Sequence, residues 1–221
     1  MKRFAAILLI LVVLLSAIHY AAAEDLSSMS TDDLLTLRLQ INEELASRYK
    51  PSVLPDGITL IDVFPDKQLA IYVRDKVGAF SINDQVTQDD LDRVTDLWIN
   101  NESYGITSLE GIQYLRNLKR ATVISQRDLT SLPDCFDEMP NLYQLKVSQC
   151  AITKLPPSIC SSAIEDLDVY GNPITALPDD IGNMTALKKL NISHTKITEL
   201  PASIRNLKLE EFNRSGLNLG D

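Results

Sequence analysis

Residues and motifs that commonly build catalytic and metal sites are scarce in this sequence. It holds two histidines and three cysteines, and one histidine, His19, lies in an apolar stretch near the start. No HExxH, no glycine-rich phosphate loop and no CxxC pair is present. A catalytic triad needs a base that a carboxylate orients toward a nucleophile. The other histidine, His194, could act as such a base, but the sequence contains no recognised nucleophile motif. We therefore expect no catalytic activity, no bound metal and no cofactor.

An excess of positive charge is also missing. Lysine and arginine number 21 against 30 aspartates and glutamates, which gives a formal net charge of −9 at pH 7. Removal of Lys2 and Arg3 with a leader would take this charge from −9 to −11. Nucleic acids and anionic membranes both demand a basic patch, so neither is an expected partner.

Long apolar runs are limited to one, from Phe4 to Ile18. Two basic residues precede it and small residues ending at Ala23 follow it, which is the order found in a secretory signal peptide. The alternative is a transmembrane anchor, which needs about 20 apolar residues, more than this run supplies. We expect residues 1–23 to be a cleaved signal peptide. The mature chain is then expected to be a soluble extracytoplasmic protein, either secreted or held at the cell surface.

What the sequence does contain is a repeat, LxxLxLxx(N/C)xIxxLP, in its second half. Three consecutive copies fill these positions with Leu142, Leu145, Val147, Cys150, Ile152, Leu155 and Pro156, then with Ile164, Leu167, Val169, Asn172, Ile174, Leu177 and Pro178, and then with Leu187, Leu190, Ile192, Thr195, Ile197, Leu200 and Pro201. A period of about 20–29 residues with this pattern is typical of a leucine-rich repeat solenoid, whose coils bury their apolar edges by stacking. The frame extends upstream to Val94 and downstream to Leu209, and the last repeat is degenerate because Arg214 occupies an apolar position. The predicted fold is an α/β solenoid with a parallel concave sheet over residues 94–221.

The positions within each repeat have distinct expected roles. The LxxLxL alternation predicts a short strand whose Leu, Ile and Val side chains point into the core. The Asn-type side chain is expected to turn inward and satisfy backbone groups that the following turn leaves free. Cys150 and Asn172 suit this role, and Thr195 fills it less completely. A solenoid displays a surface more readily than it builds a deep pocket, which favours binding over catalysis.

Two segments precede the repeats. In residues 24–57, a capping Ser30 followed by acidic residues predicts a helix that ends at Lys50 and is followed by a linker. In residues 58–93, Phe64-Pro65-Asp66 precedes an apolar helix, and the sequences VTQDDLDRVTDL and GITSLEGIQYLRNL follow.

This order of helix, acidic turn and first strand, from about Phe64 to Leu118, resembles the N-terminal cap and first repeat of the bacterial internalin family. The resemblance implies an exported bacterial leucine-rich repeat protein with an N-terminal helical cap. It also implies that the concave sheet binds another protein, as it does in members of that family. The later repeats depart from the internalin pattern because their convex segments read LPxxI.

Side chains between the inward apolar positions are expected to line the concave face in three rows. The first row is Asp96, Arg120, Gln144, Asp166, Lys189 and Glu211, the second is Trp98, Thr122, Lys146, Asp168, Asn191 and Asn213, and the third is Asn100, Ile124, Ser148, Tyr170, Ser193 and Ser215. Neighbours of opposite sign predict the ion pairs Asp96–Arg120, Lys146–Asp168, Asp166–Lys189 and Lys189–Glu211. Such a self-neutralised sheet needs no ligand to explain its charges.

Trp98 is harder to explain as an ordinary surface residue. It is the only tryptophan, and the register directs it outward, beside Thr122 and near Ile124. Exposed aromatic residues are where binding free energy concentrates. The alternative is that the cap or the loop 101–105 covers Trp98. We expect a protein-contact patch formed by Trp98, Ile124 and Tyr170, with a polar rim of Arg120, Lys146 and Asp168.

The three cysteines leave one question open. Cys150 is expected to be a buried free thiol, whereas Cys135 and Cys160 fall in the convex segments of adjacent coils. Stacking could bring their Cα atoms within the roughly 4.4–6.8 Å that a disulfide allows, and export would permit oxidation. A disulfide and two separate thiols both remain possible at this point.

Together these patterns predict an exported, non-catalytic module that binds a protein through its concave face. The first alternative is a structural component of the cell envelope that assembles through its N-terminal helix or its last coil. The second is a carbohydrate-binding surface on which Trp98 or Tyr170 stacks against sugar rings. The sequence does not name the partner or its source.

Overall fold

Six parallel strands form the sheet that the repeats predict. The computed structural model describes residues 54–100 and 105–218, so the predicted leader, the helix after Ser30 and the segment 101–104 lie outside the described residues. In spatial order the strands are β1 (Asp96–Ile99), β2 (Arg120–Ile124), β3 (Gln144–Ser148), β4 (Asp166–Asp168), β5 (Lys189–Asn191) and β6 (Glu211–Asn213). The chain returns between strands through short 3₁₀ helices at Ile112–Tyr114, Phe136–Glu138, Pro157–Ser161, Ile181–Asn183 and Ala202–Asn206. The predicted α/β leucine-rich repeat solenoid is confirmed.

The repeat register of the sequence is also the pairing register of the sheet. One inward row consists of Leu97, Ala121, Leu145, Leu167, Leu190 and Phe212, which are successive Cα partners. All of these except Phe212 are at most 2% exposed. The next inward row, Ile99, Val123, Val147, Val169 and Ile192, is fully buried. Because inward residues alternate with outward ones, the same register sets which side chains reach the concave surface.

Polar side chains at the Asn-type position connect adjacent coils inside the core. The amide of Asn172, 1% exposed, donates to carbonyls of its own and the preceding coil, including that of Val147 at 2.7 Å. Thr195 donates to one carbonyl at 2.8 Å, which confirms its less complete role. Gln126 occupies the same position two coils before Asn172, and its Oε1 accepts the amide of Ile106 at 3.0 Å. Sequence reasoning missed Gln126 because glutamine is not the usual residue there.

A single residue in the left-handed conformation turns the chain after each strand from β2 to β6. These residues are Ser125, Gln149, Gly171, His194 and Gly216, with φ of 59°, 55°, 69°, 54° and 73°. The left-handed conformation costs a non-glycine residue about 1–2 kcal/mol, and glycine avoids this cost. The amide of His194 donates to the carbonyl of Ser215 in the next coil at 2.9 Å, and the amides of Ser125, Gln149 and Gly171 donate equivalent bonds to the coils that follow them.

In the part of the chain that begins at residue 54, three short helices precede β1. They are α1 (Leu60–Val63), α2 (Lys67–Val77) and α3 (Gln88–Leu91), and α1 and α3 both begin in a capping box formed by a threonine and an aspartate. None of the helices in the described part of the chain is long and apolar enough to cross a membrane.

Asp66 joins this cap to the first repeat. One of its carboxylate oxygens accepts the amides of Gln68 and Leu69, at 2.8 and 2.9 Å, and so caps α2. The other accepts the amide and hydroxyl of Thr107 and the amide of Ser108, at 2.7, 2.8 and 3.1 Å. Burial by itself would raise the pKa of the Asp66 carboxyl, but these hydrogen bonds together outweigh it and hold that pKa below its usual value.

The cap packs closely on the first coil. Tyr72 of α2 is 7% exposed, and its hydroxyl accepts the backbone amide of Trp98 in β1 at 2.9 Å. Gly111 has a φ of 97°, and a Cβ at this position would lie 2.1 Å from the carbonyl oxygen of Val63. Tyr72 of α2 therefore contacts the first strand, and α1 lies close to Gly111 of the first coil.

The last coil is as irregular as its sequence predicts. Phe212 is 37% exposed, although it occupies the inward row. Arg214 replaces the next inward apolar residue, and its guanidinium lies 5.8 Å from the centre of the Phe212 ring. The core therefore thins out at β6.

Candidate functional site

The concave face carries the first two predicted rows in the predicted order. The Cα pairing of β1 to β6 places their members on successive strands. In the third row, Ile124 and Ser148 are direct partners, and Ser148, Tyr170 and Ser193 accept amides from the preceding coil. Parallel strands lie about 4.8 Å apart, so Trp98 on β1 and Tyr170, just after β4, are separated by about 14 Å of sheet.

Trp98 is an open surface residue on a firmly held strand. It is 59% exposed, so the cap does not cover it, and most of the loop named in the alternative lies outside the described residues. The hydroxyl of Tyr72 holds its backbone from one side. The neighbouring Thr122 is 2% exposed, and Ile124 is partly exposed. Trp98 and Ile124 therefore present apolar surface with a small buried residue between them.

A charged pair lies beside this apolar surface. The Nε of Arg120 donates to Asp96 at 2.5 Å, which confirms the predicted pair. The guanidinium of Arg120, and then the hydroxyl of Thr95, hold the pKa of the Asp96 carboxyl below its usual value. The same contact raises the pKa of Arg120. Both side chains are largely solvated, so the pair orients Arg120 more than it stabilises the fold.

Of the other three predicted ion pairs, one is present and two are not. Lys189 pairs with Glu211 as predicted, and this contact raises the pKa of Lys189. The predicted pair Lys146–Asp168 is wrong, because the ammonium of Lys146 reaches Asp166 at 3.3 Å instead. Asp166 also accepts the Gln144 amide at 2.7 Å, so its carboxylate is held toward β3. Within the described residues, Asp166 and Lys189 do not form the predicted ion pair.

A shallow depression lies over β3 to β6. Its volume is about 220 Å³, and its lining consists of Lys146, Asp166, Asp168, Lys189, Leu190, Asn191, Glu211 and Asn213. Ligand pockets for small molecules measure about 300–1,000 Å³ and are mostly apolar. The depression is smaller and mainly polar, so it suits one polar side chain of a partner better than a free small molecule.

Three side chains in the depression are held in the same way. The Oδ1 atoms of Asp168, Asn191 and Asn213 accept the amide two residues further on, at 2.9, 3.1 and 3.1 Å. Such Asx turns fix the side chain and leave its second polar atom for other contacts. Tyr170 packs edge-on against the ring of His194, with centroids 5.3 Å apart. The sequence pattern of Asp or Asn at one repeat position could have predicted this ladder.

The six predicted contact residues fall into two groups. Trp98, Arg120 and Ile124 lie together on β1 and β2, whereas Lys146 and Asp168 line the depression and Tyr170 lies next to it. Two aromatic residues of this region were missed. Tyr143, which precedes β3, is 42% exposed, and the hydroxyl of Tyr72 accepts the amide of Trp98 in β1. Tyr143 follows a core leucine and could have been identified, whereas no local signal links Tyr72 to a strand 26 residues away.

The cysteines are buried free thiols in this structure, so the disulfide alternative for Cys135 and Cys160 is not formed. Burial and then nearby carboxylates raise the pKa of Cys135 to about 12 and that of Cys160 to about 11. Burial also raises the pKa of Cys150. Within the described residues, no group of three or more histidines, cysteines or acidic residues is arranged to hold a metal ion.

Comparisons with known proteins match both parts of this architecture. Residues 51–92 match a family described as the N terminus of bacterial adhesion and invasion proteins, and residues 186–207 match the leucine-rich repeat family. Internalin H of Listeria monocytogenes is 36% identical to this chain over 84 residues, which are 38% of this chain and 15% of Internalin H. The chain therefore spans only a small part of that relative.

Solved structures show the same fold. Internalin C2 of L. monocytogenes is 22% identical with a TM-score of 0.50, and the match covers 77% of this chain and 92% of that one. The functional domain of InlJ from L. monocytogenes is 23% identical with a TM-score of 0.63, and the match covers 76% of this chain and 36% of that one. The chain is therefore a leucine-rich repeat solenoid whose N-terminal cap is similar to that of the internalins.

Proposed function

We propose that this chain is an exported, non-catalytic module that binds another protein through its concave face. The observation that carries the proposal is Trp98, an aromatic residue that is 59% exposed on a strand whose backbone a buried tyrosine holds. An aromatic side chain of this kind contributes contact area at little further loss of conformational entropy. Export is supported by the apolar leader, and similarity to internalins supports a role outside the cell.

The dimensions of the sheet suit a protein partner. Six strands at about 4.8 Å spacing make a face about 24 Å wide. A standard protein interface covers about 800 Å² on each partner, which is about 28 Å on a side. The apolar group around Trp98 lies at one end of this face, and the polar depression beside Tyr170 lies toward the other. A partner that contacts both groups would be anchored at two points about 14 Å apart.

Affinity capture with the exported chain tests this proposal. Wild type is compared with the double variant Trp98→Ala/Tyr170→Ala and with Phe80→Ala as the matched control. Phe80 is 97% exposed, but it lies in the cap, away from the concave face. Retained proteins are identified by mass spectrometry, and circular dichroism confirms that each variant is folded.

We expect wild type and Phe80→Ala to retain the same protein and the double variant to lose it. The loss in affinity should be at least about 30-fold, since one hot-spot side chain is worth about 2 kcal/mol. Equal retention by all three chains would place the binding site elsewhere. Binding to a glycan array without a protein partner would support the carbohydrate alternative, and self-association lost on trimming residues 209–221 would support the structural one.

A further inference from the structure

The depression over β3 to β6 contains more negative than positive charge. It is lined by three carboxylates and two ammonium groups. Lys146 lies 3.3 Å from Asp166, and Lys189 pairs with Glu211. Among the described ion pairs, none supplies a cation to Asp168. The excess charge of the depression is therefore concentrated on this one carboxylate.

Asp168 is held in a fixed orientation. Its Oδ1 accepts the hydroxyl of Ser148 at 3.1 Å and the amide of Tyr170 at 2.9 Å. A carboxylate can accept about four hydrogen bonds, and in the described structure both of these fall on Oδ1. The Oδ2 atom is therefore available to a donor that enters the depression, and little further ordering is needed when it binds.

An aromatic residue follows this carboxylate on the same face of the sheet. Tyr170 follows Asp168 by two residues and is partly exposed, and the edge-on contact with His194 restrains its ring. A cation placed between a carboxylate and an aromatic ring gains both an ion pair and a cation–π contact. Arginine suits this arrangement better than lysine because its planar, weakly hydrated guanidinium stacks on aromatic rings.

We propose that Asp168 and Tyr170 form an anchor for an arginine side chain of the protein partner. This inference rests on the proposed binding function and specifies the chemistry that the partner presents at this end of the face. The guanidinium donates to Oδ2 of Asp168 and stacks beside the ring of Tyr170. The volume of about 220 Å³ accommodates the end of one side chain, and the Lys146–Asp166 and Lys189–Glu211 pairs form its walls.

A peptide titration tests the anchor without knowledge of the partner. The ¹⁵N-labelled exported chain is titrated with the capped tripeptide Gly-Arg-Gly, with Gly-Lys-Gly and with Gly-citrulline-Gly, whose urea group has the arginine shape without the charge. The amide of Tyr170 reports binding directly because it donates to Asp168. The variant Asp168→Asn is compared with Asp128→Asn, which removes an exposed carboxylate outside the depression.

We expect the arginine peptide to shift the Tyr170 amide at lower concentration than the lysine peptide, and the citrulline peptide to have little effect. Asp168→Asn should weaken the arginine peptide by roughly tenfold, as expected for loss of one charge-assisted hydrogen bond, whereas Asp128→Asn should leave it unchanged. Equal binding of the arginine and citrulline peptides, or an unchanged affinity in Asp168→Asn, would overturn the anchor. Should Asp168→Asn melt earlier than wild type, Tyr170→Leu provides the second variant, and it should remove the preference for arginine over lysine.

The same variants separate this inference from the proposed function. In affinity capture, a partner lost from Trp98→Ala/Tyr170→Ala but fully retained by Asp168→Asn would leave protein binding intact and would refute the anchor. A partner retained by the double variant would refute the concave binding site, whatever the peptides show.

Discussion

Removal of the Asp66 carboxylate is expected to detach the helical cap from the repeats. This side chain accepts five hydrogen bonds, two from the first turn of α2 and three from Thr107 and Ser108. Loss of an N-cap costs about 0.5–2 kcal/mol. Each unsatisfied donor on the repeat side adds about 1 kcal/mol. Asp66→Ala should therefore lower the free energy of unfolding by about 3–5 kcal/mol.

Thermal and urea unfolding followed by circular dichroism measure this effect. For a domain of this size, 1 kcal/mol corresponds to about 2–4 °C in Tm, so a loss of about 4 kcal/mol should lower Tm by about 8–16 °C. Asp128→Asn, an exposed carboxylate, is the matched control and should stay within about 0.5 kcal/mol of wild type. A loss below 1 kcal/mol in Asp66→Ala would refute the role of Asp66 in joining the cap to the repeats.

The stabilisation by Asp66 should also depend on pH. Its folded-state pKa is held below the ordinary value of 3.8, so the ionised carboxylate stabilises the folded state at every pH above that value. The stabilisation disappears as the pH falls through the folded-state pKa. The difference in stability between wild type and Asp66→Asn should therefore be largest near pH 7 and should shrink below about pH 4. A difference that stays constant down to pH 2 would contradict this reasoning.

Other parts of the fold give separate expectations. Asn172→Ala leaves buried backbone groups without partners and should destabilise the fold by about 3 kcal/mol. The control is Asn183→Ala, at an exposed position, and similar urea midpoints for both variants would show that Asn172 does not stabilise the core. Gly111→Ala places a Cβ 2.1 Å from the carbonyl oxygen of Val63 in the cap, at a residue whose φ is 97°. This variant should lower the thermal midpoint by several degrees, and an unchanged midpoint would show that the cap shifts freely. Cys135 and Cys160 have pKa values of about 12 and 11, so iodoacetamide at pH 8 should label them in urea but not in the native protein; rapid native labelling would mean that the convex side opens.

The cap contributes to the proposed binding surface as well as to stability. Asp66 holds α2 on the first coil, and Tyr72 of α2 holds the backbone of Trp98. A loss of the cap would therefore also loosen the strand that carries Trp98. We therefore expect Asp66→Ala, although far from the sheet surface, to weaken binding of a partner to the extent that the cap opens.

Sequence reasoning predicted the parts of this structure that depend on period. The spacing of Leu145, Leu167 and Leu190 predicts both the strands and their register, because only one face of each coil can be buried. The same period placed Trp98 outward and Phe212 in an unfinished coil, and both placements are confirmed. Local patterns were sufficient here because a stacked repeat contacts its neighbours in the same way each time.

Partner choice among long polar side chains could not be predicted in this way. Register alone placed Lys146 opposite Asp168, yet the ammonium group reaches Asp166 because Ser148 and the Tyr170 amide hold the Asp168 carboxylate. A flexible lysine can reach several carboxylates at similar distance, so small differences in their hydrogen bonds decide which one it contacts.

By itself, the sequence determined the solenoid, its outward rows and its degenerate last coil, since these follow from the spacing of apolar residues along the chain. The helical cap was predicted from its resemblance to the internalin cap. Only the tertiary structure decided that Asp66 binds Thr107, that Tyr72 supports Trp98, and that Asp168 forms none of the described ion pairs although it lines the depression. These contacts join groups that are distant along the chain or depend on side-chain orientation. These contacts form only where folding brings the two groups together, and no local sequence pattern specifies that placement.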